Sequence, residues 1–355
     1  MISSSAVNSR PRAPKWLIPT LGFAVSLISL WLVFRRFDFD QLARDVRSIS
    51  WPWVAAAVAA ELLCHVVDAW RWLVILSPAE RPTLLQAVQA TFIGMFANDV
   101  LPAKAGEIIR PYLLTTWARV PLSLSITSAV IERIFDGITL VIIFFLTADL
   151  RNVYPDPFAQ RWKVGIEGAI WTMTVVMSII TVGLLFVLFY KSHSRRVMSS
   201  RPWMLKFRHL LDELHTLGHW QTLAGGFALS FVYFGCQITA FECLAKADGY
   251  DLSVSQAAFV LIVVRLGTLI PNAPGNLGSF QLMCQAALRM VWVEKFNSGS
   301  LANIIYVFTT APAAIVGFIA VGLTGLSIGE IHKQAYHAHR KYEELRGGST
   351  PELGN

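Results

Sequence analysis

Charge is what this sequence has least of. Asp, Glu, Lys and Arg together make up 15% of its 355 residues, while 54% are hydrophobic and the mean hydropathy is +0.51. Soluble globular chains carry about 25% charged residues, so this chain cannot clothe a water-facing surface of its size. Cysteine is scarce as well. The four present, Cys64, Cys236, Cys243 and Cys284, all lie in apolar segments with no metal or redox spacing. That excludes a zinc module or a disulfide framework and leaves packing as their role. Missing too are a nucleotide-binding loop and the basic–aromatic alternation of a nucleic-acid module. No cofactor, metal or nucleic-acid partner is expected.

What the chain has instead is long apolar runs. Residues 16–34, 53–76, 122–146, 168–190, 222–245 and 301–326 each satisfy the requirement of about 20 residues for a membrane-crossing helix. Arg10, Arg12 and Lys15 before the first run imitate a secretory signal. The run is too long for one, however, and Arg35 and Arg36 follow it where a small-residue cleavage site would stand. The expected fold is therefore an all-α polytopic membrane protein.

Charge asymmetry orients it. The net charge of +7 is concentrated at the N-terminus and in residues 191–220, which hold Lys191, Arg195, Arg196, Arg201, Lys206 and Arg208. Lys and Arg mark cytoplasmic loops. With both segments inside, the parity of the spans makes residues 82–119 begin and end in the cytoplasm, and residues 254–293 begin and end outside. Each of these regions is interrupted at its centre, by "NDVLPAKAGEI" and by "IPNAPGNLGSF". The sequence thus predicts about six full spans and two re-entrant hairpins broken at Pro and Gly, arranged as an inverted repeat, a pattern that places binding sites at the breaks. The bland alternative is that both breaks are ordinary turns between full spans. The expected organisation is a cytoplasmic segment 1–15, a membrane domain 16–328 (repeats of about 16–146 and 168–328) and a cytoplasmic tail 329–355. The setting is the inner membrane of a prokaryote.

Polar residues inside apolar runs are expensive and point to function. In the first break these are Asn98, Pro102, Gly106, Glu107 and Arg110, where free amides at a helix start favour an anion. Lys104 reads as snorkelling to the cytoplasmic surface. Residues 122–146 carry Glu132, Arg133 and Asp136, with Glu132 about 15 Å deep at the helical rise. Arg133 is suited to a carboxylate or a phosphate. Glu61, His65, Asp68 and Arg71 form a stripe at spacings of four, three and three, without the companions of a metal site. Arg265 precedes the second break, which offers Pro271, Asn272, Pro274, Gly275, Asn276, Gly278 and Gln281. His332, His337 and His339 fall in a charged tail and read as solvated.

The stretches "NDVLPAKAGEIIRPYLL", "ERIFDGITL" and "PNAPGNLGSFQ", in this order, resemble the lysylphosphatidylglycerol synthase transmembrane region, or flippase-like domain family, from about residue 16 to 328. In two-part members this region moves a lipid between leaflets while a separate soluble domain makes the aminoacylated lipid. Only a short tail follows the last expected span here, so aminoacyl transfer is not expected. The resemblance implies translocation of an anionic lipid or a lipid-linked glycan intermediate. Arg110, Arg133 and Arg265 would form its path, and Glu107, Glu132 and Asp136 would carry protons. Two other classes remain open: an intramembrane lipid-modifying enzyme using Glu61, His65, Asp68 or Glu132 as acid and base, and a non-catalytic subunit docking a glycosyltransferase or other lipid-synthesis partner through residues 201–217.

Overall fold

A computed structural model describes residues 49–80, 82–101, 104–147, 157–189, 216–269, 274–291 and 295–324. The expected first span, all but the end of the basic segment 191–220, and the C-terminal tail lie outside the described residues. Among those residues the secondary structure is helical throughout: α1 (Trp51–Leu76), α2 (Leu84–Val100), α3 (Gly106–Ala118), α4 (Leu122–Thr147), α5 (Pro157–Phe189), α6 (Trp220–Ala247), α7 (Val254–Gly267), α8 (Ser279–Met290) and α9 (Lys295–Thr324), with a short 3-10 turn at Pro274–Asn276. Trp51–Leu76, Trp220–Ala247 and Ser298–Thr324 are long and apolar enough to cross a membrane. Helix α4 has the same length as α1, 26 residues, but carries its charge cluster mid-helix.

One order of elements occurs twice: long, short, break, short, long. It runs from α1 to α4 and again from α6 to α9. Both short leading helices start on the same device. The Thr83 hydroxyl accepts from the Gln86 amide while the Gln86 side chain accepts from the Thr83 amide, and Ser253 and Gln256 repeat this reciprocal cap. Two orphan donors are thereby satisfied at each entry. Both breaks also contain a residue other than glycine with left-handed backbone, Lys104 (φ 53°) and Asn276 (φ 54°).

Helices α1 and α6 pack antiparallel along their length. The Ser50 amide donates to the Ala247 carbonyl at 2.9 Å at one end, and Gly226 abuts Ile75 at the other. The first hairpin (α2–α3) therefore starts from one end of the molecule and the second (α7–α8) from the opposite end. The feet of the first stay together, with Gln86 Nε2 donating to the Trp117 carbonyl at 3.4 Å. Its legs cross at Gly94 and Gly106, where a β-carbon at Gly106 would strike the Gly94 carbonyl oxygen.

The tips of the two hairpins meet. Lys104 Nζ donates to the Thr268 carbonyl at 2.6 Å, and Asp99 lies beside Gly275. The four hairpin helices have 17, 13, 14 and 12 residues, or roughly 18–26 Å each at the helical rise, against about 30 Å of hydrocarbon. The three shorter ones fall well short of a crossing, while the 17-residue α2 stands at the lower limit of one. Lys104 reaches across to the other hairpin rather than toward a surface.

Candidate functional site

A cavity of about 400 Å³ lies where the hairpin tips converge on α1, α4, α5 and α6. Its polar wall contains His65, Asp68, Thr91, Asn98, Asp99, Lys104, Glu107, Arg110, Arg133, Asp136, Tyr233, Arg265 and Asn276, and its apolar wall includes Met95, Leu140, Met173, Met177, Leu266 and Leu269.

Beneath the polar wall sits an ion network centred on Arg71, which is fully buried. Its guanidinium donates to Asp68 Oδ1 at 2.7 Å, to Asp136 Oδ1 at 2.5 Å and to Ser230 Oγ at 2.9 Å, and Nε lies 3.7 Å from Glu132 Oε1. Arg110 shares two of these carboxylates, at 3.0 Å to Asp68 Oδ2 and 3.3 Å to Glu132 Oε2. Its guanidinium also stacks over Trp72, 4.2 Å from the ring centroid, and Trp72 is held by a bond from Nε1 to Ser128 Oγ. Three elements of the first half (α1, α3 and α4) are thus joined through fixed charges, and Arg71 extends the network to α6 through the neutral Ser230 hydroxyl. Removing one partner from such a network strands the others without compensation.

Arg133 is placed differently. Its side chain is 52% exposed and bridges Glu107 Oε2 at 3.4 Å and Asp136 Oδ2 at 3.2 Å. Arg265 donates to the Tyr233 hydroxyl at 3.1 Å. Among the described residues no carboxylate lies within salt-bridge distance of it. Of the three arginines expected to form a path, Arg110 is committed to the buried network, Arg133 is shared and reachable, and Arg265 faces the cavity with only a neutral partner.

The breaks also differ in detail from the sequence reading. The first amide of α3 is not free for an anion, because Gly106 N donates to Asn98 Oδ1 at 2.8 Å. In the second hairpin the Gly278 amide donates to Gln281 Oε1 at 2.8 Å, and neither residue lines the cavity. Glu107 and Arg110 do not act together: Glu107 serves Arg133 from outside, while Arg110 points inward. Arg71 and Glu132 lie behind the cavity wall, as does Glu61, which sits 3.5 Å from His65 Nε2. The Gly275 carbonyl accepts from the Tyr306 hydroxyl at 3.0 Å. Pro102, Pro271 and Asn272 fall outside the described residues, and Pro274 contributes its backbone to the 3-10 turn. Asp99 and Tyr233 were missed. Asp99 had a signal, an acid inside an apolar helix beside Asn98, whereas Tyr233 in an aromatic-rich span had none.

Glu61, Cys64 and His65 bring three ligand-type atoms within 4.8 Å of one another. The imidazole lies between the other two, with Nδ1 3.6 Å from Cys64 Sγ and Nε2 facing Glu61. Its nitrogens therefore point to different partners instead of converging on one point. All four cysteines are free; Cys64, Cys243 and Cys284 are buried and Cys236 is half-buried.

A family model described as the lysylphosphatidylglycerol synthase TM region matches residues 20–317. A UPF0104 membrane protein of Methanocaldococcus jannaschii is 23% identical over 64% of this chain and 92% of its own length. Another UPF0104 membrane protein, from Methanothermobacter thermautotrophicus, is 25% identical over 46% of this chain; the matched part spans less than half of that relative, 43%. No solved structure matches.

Proposed function

The chain belongs to the lysylphosphatidylglycerol synthase transmembrane region family, and from that premise we propose that it moves an anionic lipid, or a lipid-linked glycan intermediate, between the leaflets of the cytoplasmic membrane. The observation that carries this reading is Arg265: a guanidinium in the wall of a cavity between the two hairpins, with no carboxylate within salt-bridge distance among the described residues. Taking a headgroup phosphate through hydrocarbon without compensation is prohibitive. Arg265, with the reachable Arg133, would replace the lost hydration by charge-assisted hydrogen bonds. Arg71 and Arg110 would hold the wall in shape, and the methionine side of the cavity would adapt to acyl chains.

In the proposed topology both termini and residues 191–220 are cytoplasmic and the hairpins enter from opposite faces. The partners are membrane lipids, with residues 201–217 as the docking segment for any lipid-synthesis enzyme. The enzymatic alternative has less support: Asp68 is held by Arg71 and Arg110, and Glu61 and Glu132 lie behind the cavity wall.

Binding tests the reading before transport does. The purified protein is titrated with dioctanoyl phosphatidylglycerol and with an uncharged dioctanoyl glycerol lipid. We expect selective binding of the anionic lipid. Arg265→Gln should weaken it by about ten- to a hundred-fold, the worth of a hydrogen bond to a charged group, with the thermal unfolding of the variant unchanged. Equal binding of both lipids, or an unaffected variant, contradicts the proposal.

A further inference from the structure

Lys104 is held in a conformation that disfavours lysine. Its φ of 53° is left-handed, a region natural to glycine and tolerated by asparagine but unfavourable for other side chains. The second hairpin has an asparagine in its own left-handed position, Asn276 at φ 54°. The first hairpin thus carries a cation where its backbone would be better served by a small neutral residue. Strain of that kind gathers at ligand clamps and active sites.

The contact that this ammonium makes leaves most of it unused. Lys104 Nζ donates to the Thr268 carbonyl at 2.6 Å, which takes one of the three donors of an ammonium. Among the described residues no carboxylate lies within salt-bridge distance of it. Arg265, in the last turn of α7, has the same kind of partner, the neutral Tyr233 hydroxyl at 3.1 Å, and a guanidinium has five donors. Both side chains line the cavity, one from each hairpin. Of the charges that act on Lys104, Glu107 attracts it while Arg265 and Arg133 repel it. Glu107 is already bridged to Arg133 at 3.4 Å. Positive charge around Lys104 therefore exceeds negative, and two cations stand at the end of α7 with donors to spare.

We infer that Lys104 and Arg265 hold one phosphate group between the two hairpins, and that the ligand this favours is a terminal phosphate with more than one negative charge, on a lipid or free, over a phosphodiester with one. The inference rests on the lipid-translocation reading and narrows its substrate class. A terminal phosphate offers three acceptor oxygens and about −1.5 to −2 of charge. It can meet the planar edge of Arg265 and the point charge of Lys104 at once. A phosphodiester has two free oxygens and a single charge to divide between them. Because one cation comes from each hairpin, the bound phosphate would add a second tie between the tips beside the Lys104–Thr268 bond.

The test uses the purified full chain in detergent at mildly alkaline pH. It is titrated with dioctanoyl phosphatidic acid, with dioctanoyl phosphatidylmethanol, the smallest phosphodiester counterpart, and with dioctanoyl phosphatidylglycerol. We expect phosphatidic acid to bind about ten-fold or more tightly than either phosphodiester, the worth of one further hydrogen bond between charged groups. Lys104→Gln should remove that preference and change phosphatidylglycerol binding little. Displacement of phosphatidic acid by inorganic phosphate assigns the site to the phosphate itself, and resistance to displacement assigns it to a phosphate carried on a lipid. Equal binding of phosphatidic acid and phosphatidylmethanol overturns the inference, and this comparison in the wild type decides if Lys104→Gln is unstable. An undiminished preference in Lys104→Gln, as when Lys104 only caps α7, overturns it as well; both of these outcomes leave the lipid reading standing. Failure of every anionic lipid to bind counts against the lipid reading at Arg265 and takes this inference with it.

Discussion

Arg71 shows how far a single residue could be read from sequence. Its spacing from Asp68 is helical, and the structure keeps that pair at 2.7 Å. The same holds for Arg133 and Asp136, at 3.2 Å. Partners on other helices were beyond reach. Nothing local indicates that Asp136, 65 positions away, completes the shell of Arg71, because such a contact depends on how α1 and α4 pack. The two kinds of arginine should respond differently to substitution. Arg71→Met leaves Asp68, Glu132 and Asp136 short of their shared cation and should destabilise the protein by about 3–5 kcal/mol, read as a lower denaturation midpoint in detergent. Arg133→Lys should keep the fold, since that side chain is half exposed. It should lose lipid binding, because an ammonium cannot bridge Glu107, Asp136 and a phosphate as the planar fork does. An Arg71→Met protein as stable as the wild type would remove the network from its structural role.

At the scale of the elements, the broken hairpins were legible because Pro, Gly and polar residues interrupt apolar runs at corresponding places. Parity predicts where their feet lie, and the structure keeps the feet of the first hairpin together and brings the two tips into contact. What the sequence could not supply was the use made of each break residue. Asn98 and Gly106 read as ligands for an anion, yet one caps the helix that the other opens, and Gly106 permits the crossing with Gly94. Gly106→Ala should therefore spread the hairpin and lower stability by roughly 1–3 kcal/mol, the usual cost of overpacking. Contact between the tips is open to a direct check. Cysteines replacing Lys104 and Thr268 in a cysteine-free background should be joined by a short thiol cross-linker, in membranes as well as in detergent. Two hairpins whose turns reach opposite surfaces would give no such product.

At the scale of the whole molecule, the described residues enclose a charged cavity between two hairpins that start from opposite ends. The basic segments predict its orientation: single cysteines at Ser194 and Asn152 should label from opposite faces of sealed vesicles, and labelling of both from one face would overturn the parity reading. In the proposed function this enclosure carries an anionic headgroup across the membrane with Arg265 as its cationic contact. The most direct measurement is the leaflet exchange of labelled phosphatidylglycerol, other anionic lipids and an uncharged lipid in proteoliposomes, scored by a reagent that reaches only the outer leaflet. Wild-type protein should make the inner-leaflet pool of at least one anionic lipid accessible while the uncharged lipid stays at the rate of empty liposomes, and Arg265→Gln should return that anionic lipid to the empty-liposome rate. Equal exchange of charged and uncharged lipids, or undiminished exchange in Arg265→Gln, would contradict the account.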